Sequence, residues 1–148
     1  MSVTTILLTV ALLAANAFFV GAEFAAMSAR RSQLEPLAEA GSKRAQTALD
    51  AMQHTGILLA TCQLGITVCS VLLGAISEAA LHHALTPLFT GLGLSPVVAD
   101  VVALGLALGL IVFLHVVYGE MIPKSISVAR PERSALALVP PLVMVSKV

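Results

Sequence analysis

Tryptophan is absent from this chain, tyrosine occurs once, at Tyr118, and charged residues make up only 11% of its 148 positions. Soluble domains carry about 25% charged residues. Scarce charge beside 58% apolar residues therefore excludes an ordinary water-soluble globule and leaves a membrane protein. With so few rings, the aromatic belts that usually mark the two membrane interfaces are thin. A formal net charge of zero gives no electrostatic basis for nucleic-acid binding. The two cysteines, Cys62 and Cys69, are seven residues apart in an apolar segment, so they share a helix face and form neither a zinc pair nor a disulfide within one helix. They are expected to be small, reduced packing residues. No His-Glu-x-x-His, Gly-x-Ser-x-Gly or Walker loop is present, so the chain is not expected to be an enzyme.

What is present is a series of apolar runs. The first, Ile6 to Met27, has about the 20 residues a bilayer crossing needs. No Lys or Arg precedes it and it outruns a signal-peptide core, so it is expected to remain uncleaved. Thr9, Asn16 and Glu23 recur in it every seven residues, a polar stripe on one side of a helix. Asn16 has two readings, a hydrogen bond to a neighbouring helix or a place on a polar pathway, and Glu23 either joins a site or reaches water. The second run, about Ile57 to Leu81, carries Gln63, Thr67, Ser70, Gly74 and Ser77 at alternating spacings that put all five on one face. Gly74 and Ser77 suit close helix packing. Gln63, Thr67 and Ser70 offer the oxygens that Mg²⁺ or Na⁺ prefers. Glu78, His82, His83 and the stretch from Thr86-Pro87 to Ser95-Pro96 read as a connection. The third run is Val97 to Tyr118, with Asp100 expected in water and Gly105 and Gly109 forming a Gly-x-x-x-Gly for close contact within or between chains.

The joining segments read as follows. Ser32 with Glu35 forms a capping box, Gly41 ends that helix, and a second helix follows Ser42; the pair lies on the membrane surface or forms a hairpin in water. Residues 134–148 fall short of a fourth span and hold Pro140 and Pro141, which suggests a chain truncated at its C-terminus. The expected fold is an all-α polytopic membrane domain: three transmembrane helices, juxtamembrane amphipathic helices and a proline-broken segment. Seven of the eight cations follow the first or third run, and none lies between the second and third. The positive-inside rule then puts the N-terminus outside the cell membrane and both basic loops in the cytoplasm.

The proline-broken segment is His115 to Ser125. Pro123 lacks an N–H and clashes with the carbonyl one turn earlier, so it is expected to open the ladder near Gly119 and leave carbonyls free beside Glu120. Such a break at membrane depth suits a cation site. The other reading is a helix end at the water interface, with Glu120 and Lys124 solvated. His115 either tunes Glu120 or donates to a carbonyl.

Three stretches carry a family resemblance. They are Asn16-Ala-Phe-Phe-Val-Gly-Ala-Glu23-Phe-Ala-Ala-Met-Ser28-Ala-Arg-Arg31, Ala60-Thr-Cys-Gln63-Leu-Gly-Ile-Thr67 and Tyr118-Gly-Glu-Met-Ile-Pro-Lys-Ser125. In this order and spacing they resemble the transmembrane domain of the CNNM/CorC magnesium transport family, over essentially the whole chain. The resemblance implies a homodimer in the lipid bilayer and transport of Mg²⁺, with Na⁺ as a possible coupling ion. It also implies nucleotide-binding CBS domains in full-length relatives, which this chain lacks. It carries Ser28, Gly119 and Glu120 over as ion ligands, with Ser70 beside them. Ala22 and Ile66 depart from positions where many members have oxygen ligands, which weakens a Mg²⁺ site. The expected mechanism is alternating access, with Asn16, Glu23, Gln63 and Thr67 along the pathway, Pro123 supplying the break, and Lys124 anchoring the segment or pairing an acid. The alternatives are export of a polyamine-like organic cation, favoured if lost oxygens leave Glu23 and Glu120 to hold an ammonium, and a non-transporting anchor or regulatory dimer module.

Overall fold

The computed structural model describes residues 1–147, and the described residues form helices joined by short turns. Helix α1 covers Val3–Ser28; Ser2 caps it by accepting from the Thr5 N–H at 3.2 Å, and the chain turns extended at Ala29 before the arginines. A hairpin of α2 (Arg31–Glu39) and α3 (Lys43–Met52) follows, turning at Gly41, whose φ of 98° is left-handed and suits glycine. Ser42 caps α3, its hydroxyl accepting from the Ala45 N–H. Helix α4 (Thr55–Leu73) continues through a π-helical segment, Gly74–Glu78, into α5 (Ala79–Gly91). Helix α6 (Pro96–Leu114), capped by Ser95, likewise runs through a π-helical segment, His115–Met121, into α7 (Ile122–Ala129). Helix α8 is Pro131–Ser146.

Three stretches are long and apolar enough to cross a membrane: Val3–Ser28, Thr55–Gly91 and Pro96–Ala129. The all-α class and the three expected crossings are thus present. Many large apolar side chains on them are exposed, among them Leu64, Val71, Val101 and Phe113, as lipid-facing residues should be. The proline break takes the form of widened helix: the ladder shifts to π spacing ahead of Pro123 and the helix continues to Ala129.

Helix α1 is central, with α4, α7 and α8 packed around it. The main core lies at its basic end, where Ala22, Ala25 and Ala29 meet Leu34 of α2, Ala48 and Ala51 of α3, Leu58 and Cys62 of α4, and Ala135, Val139 and Leu142 of α8. Alanine keeps the backbones close, and the larger Leu and Val side chains fill the gaps. Cys62 and Cys69 are both buried and free, as their spacing implied.

Three local expectations are corrected. The second crossing does not end near Leu81; Glu78, His82, His83 and Pro87 are helical, and the connection is only residues 92–95. Thr86 donates to the His82 carbonyl and Thr90 to the Pro87 carbonyl, so hydroxyls serve backbone groups around the proline. A helix of 37 residues spans about 55 Å, more than the hydrocarbon thickness, so its C-terminal end can carry polar side chains. Asp100 is exposed there, as expected, and its carboxylate also meets His82 at 2.9 Å. The start of α2 is not Ser32: the helix begins at Arg31, and the Gln33 side chain accepts from the Arg30 N–H. The run 134–148, read as an interrupted stub, lies through Ser146 in a helix from Pro131 that keeps Pro140 and Pro141 inside it and completes the core.

Candidate functional site

Three polar ties run down α1, each from a small or polar residue to another crossing. Near its N-terminal end Thr9 Oγ1 lies 2.6 Å from Ser77 Oγ, both residues buried. The Thr9 hydroxyl already donates to the Thr5 carbonyl, so Ser77 is the donor between them. Seven residues on, Asn16 Nδ2 donates to the Gly119 carbonyl at 2.9 Å. Lower still, Ser127 Oγ donates to the Gly21 carbonyl at 2.8 Å. The stripe of Thr9 and Asn16 therefore faces the bundle, while Glu23, seven residues below Asn16, is half-buried.

The Asn16 tie explains the glycine. A Cβ on Gly119 would stand 3.0 Å from Asn16 Nδ2 and 3.1 Å from His115 Cδ2, so any side chain there would force these two to give way by a few tenths of an ångström. It also replaces a missing donor. Pro123 is four residues beyond Gly119 and has no N–H, and the Asn16 amide donates to the carbonyl instead. The Gly119 carbonyl, expected to be free, is thus engaged. Neighbouring groups take π spacing, with the Ile122 N–H on the Val117 carbonyl.

Asn16 is fully buried, and its Oδ1 has no hydrogen-bond partner. Leaving a buried amide oxygen unpaired costs about 1–3 kcal/mol, so the bundle holds an acceptor at membrane depth at its own expense. Next to it, His115 Nε2 lies 3.1 Å from Ser70 Oγ and 3.6 Å from Glu120 Oε1. The imidazole links α4 to the π-helical segment, with the Glu120 carboxylate beside it. Glu120 stays 44% exposed by side chain, open on one side.

The structure therefore brings Asn16, Ser70, His115, Gly119 and Glu120 into one neighbourhood. Ser28 does not join it: twelve residues after Asn16, it lies about 18 Å further along α1, near the basic end. Gln63 and Thr67 are exposed, and the Thr67 hydroxyl turns back to the Gln63 carbonyl. Lys124 pairs with no acid among the described residues; its Nζ sits 4.7 Å from the centre of the Phe24 ring. Ser127 escaped the sequence reading, and its only signal is its position four residues after Pro123 on the same helix face. Among the described residues no group of three or more His, Cys, Asp and Glu side chains is placed to hold a metal ion. The polar groups that converge instead are an amide oxygen, a hydroxyl, an imidazole and one carboxylate.

Residues 7–148 match the CNNM family, described as the Cyclin M transmembrane N-terminal domain. The uncharacterized protein Rv1841c of Mycobacterium tuberculosis is 46% identical over 138 residues, covering 93% of this chain and 39% of that protein. The UPF0053 protein YhdT of Bacillus subtilis is 40% identical over 140 residues, covering 95% of this chain and 30% of that one. The chain thus spans only about a third of the length of these relatives. By the family match and by its share of conserved length with these proteins, this chain belongs to the CNNM family of transmembrane domains.

Proposed function

We propose that this membrane domain carries a hard cation across the bilayer, with Mg²⁺ the favoured cargo and Na⁺ a candidate coupling ion. The observation that supports the reading most is the unpaired Asn16 Oδ1, fully buried and oriented by the bond that its own Nδ2 makes to Gly119. A cation supplies what that oxygen lacks. Glu120 adds one negative charge from the next residue along, and Ser70 a hydroxyl across the bundle. An all-oxygen set with a single carboxylate is hard-ion chemistry, and it leaves room for retained water. Ser28 is then a residue of the path to the basic end rather than a ligand of the same ion. Few ligands besides Asn16, Glu120 and Ser70 converge, so the cargo keeps part of its hydration shell.

The test is Mg²⁺ flux into proteoliposomes by the wild-type chain beside Glu120→Gln and Asn16→Leu. Flux that both substitutions abolish supports the reading. Flux that survives both overturns it. A second reading, a dimeric anchor without transport, is favoured by one observation: Gly105 and Gly109 have no atom from elsewhere in the chain within 4 Å of where a Cβ would stand. It predicts no flux in any version and loss of self-association in Gly105→Leu.

A further inference from the structure

At the basic end, the outer face of α7 carries three clefts that run into one another. The first, of about 270 Å³, lies between α1, α7 and α8 and is lined mainly by Ala14, Ala17, Gly21, Pro123, Ile126 and Leu138. The next shares Ile126 with it and reaches Ala129 and Arg130. The last, of about 390 Å³, starts from Ala129 and Arg130 and opens between Arg133, Glu132 and Gln33. Pro123, Ile126 and Arg130 recur at helical spacing, so the path follows one stripe of α7 from apolar to basic. Its depth fits a lipid. Gly21 is nine residues before Arg30, about 13 Å inside the basic boundary, and Arg130 stands just beyond the end of the third crossing.

We propose that this face holds one anionic phospholipid, an acyl chain laid in the α1–α7–α8 cleft and the phosphate seated between Arg130 and Arg133. Charge complementarity selects the headgroup. Among the described residues the only arginine or lysine with a carboxylate within 4.0 Å is Arg31, so the guanidinium groups of Arg130 and Arg133 are free for a phosphate. A zwitterionic choline headgroup would bring a third cation to them. Glu132 at the same corner disfavours a second negative charge, so a singly charged phosphodiester fits better than a phosphomonoester. The apolar leg separates a lipid from a free phosphate, because only a lipid uses Ile126 and the cleft beyond it.

The experiment is native mass spectrometry of the chain released from bilayer discs of equal phosphatidylglycerol and phosphatidylcholine. The wild type is expected to retain one phosphatidylglycerol in preference to phosphatidylcholine. Arg130→Gln with Arg133→Gln, both exposed positions, should cut that preference by about tenfold, since each interfacial cation contributes to anionic-lipid attraction. Ala14→Phe, which fills the cleft from an exposed position and leaves the arginines alone, should lower retention while helical circular dichroism is unchanged. Equal retention of the two lipids, or a preference that survives the double substitution, overturns the proposal. Displacement by millimolar glycerol phosphate, or retention indifferent to Ala14→Phe, overturns the lipid seat and leaves a plain phosphate site.

Discussion

Asn16 Nδ2 and the Gly119 carbonyl oxygen lie 2.9 Å apart across 103 residues of chain, and the same side chain leaves its Oδ1 buried without a partner. The two halves of one amide have opposite effects on the fold. The donor half ties α1 to the widened turn and serves a carbonyl that Pro123 cannot; the acceptor half is unsatisfied. Asn16→Leu, nearly isosteric, removes both at once. The Gly119 carbonyl then loses its donor as the orphan Oδ1 disappears, so one unpaired acceptor replaces another, and the bond lost is worth about 0.6 kcal/mol on average and at most about 1.7 between membrane helices. Stability in a reversible unfolding assay in mixed micelles is therefore expected to change by less than about 1 kcal/mol. A loss of several kcal/mol would mean that Oδ1 has an unseen structural partner.

The Thr9–Ser77 contact is of the other kind, a bond with both groups satisfied. Thr9 donates to Thr5, and Ser77 donates to Thr9, within a buried layer joining α1 to the π-helical turn of the second crossing. Thr9→Val, Ser77→Ala and the double variant form a cycle with an expected coupling of about 0.5–1.5 kcal/mol. Flux by Thr9→Val should remain within a few-fold of wild type, because this layer lies about 10 Å along α1 from Asn16. A coupling indistinguishable from zero would show that the two hydroxyls do not bond in the bilayer.

The three crossings were legible in the sequence because apolar length is nearly sufficient to define one. Their ends were less legible. His82 and His83 lie on a helix that continues past the hydrocarbon, where polarity no longer marks a boundary. The two π-helical turns each widen the ladder without changing composition, so Gly74–Glu78 and His115–Met121 left no signature beyond the nearby glycines and Pro123. In the candidate site, Asn16, Glu120 and Pro123 stood out as polar or helix-disrupting residues in apolar runs. Which of them meet is set by register between crossings. That register puts Asn16 level with Gly119, leaves Ser28 near the end of α1, and turns Gln63 and Thr67 outward while Ser70 reaches His115.

Gly65 and Phe19 fix the spacing on the other side of α1. A Cβ on Gly65 would fall 2.6 Å from two carbons of the Phe19 ring, closer than packed atoms approach, whereas one on Gly105 would meet nothing. The Phe19 ring is also held edge-on by Phe18, with centroids 5.3 Å apart, so it is restrained from rotating away. Gly65→Ala is therefore expected to push α1 from α4 and cost about 1–3 kcal/mol. Gly105→Ala should be neutral or slightly stabilising, since alanine is the better helix former. Phe19→Leu, which shortens the side chain, should recover most of the loss when combined with Gly65→Ala. The two single glycine variants and the double variant, unfolded under the same conditions, separate the cases. If Gly65→Ala is as neutral as Gly105→Ala, α1 and α4 do not pack through this contact.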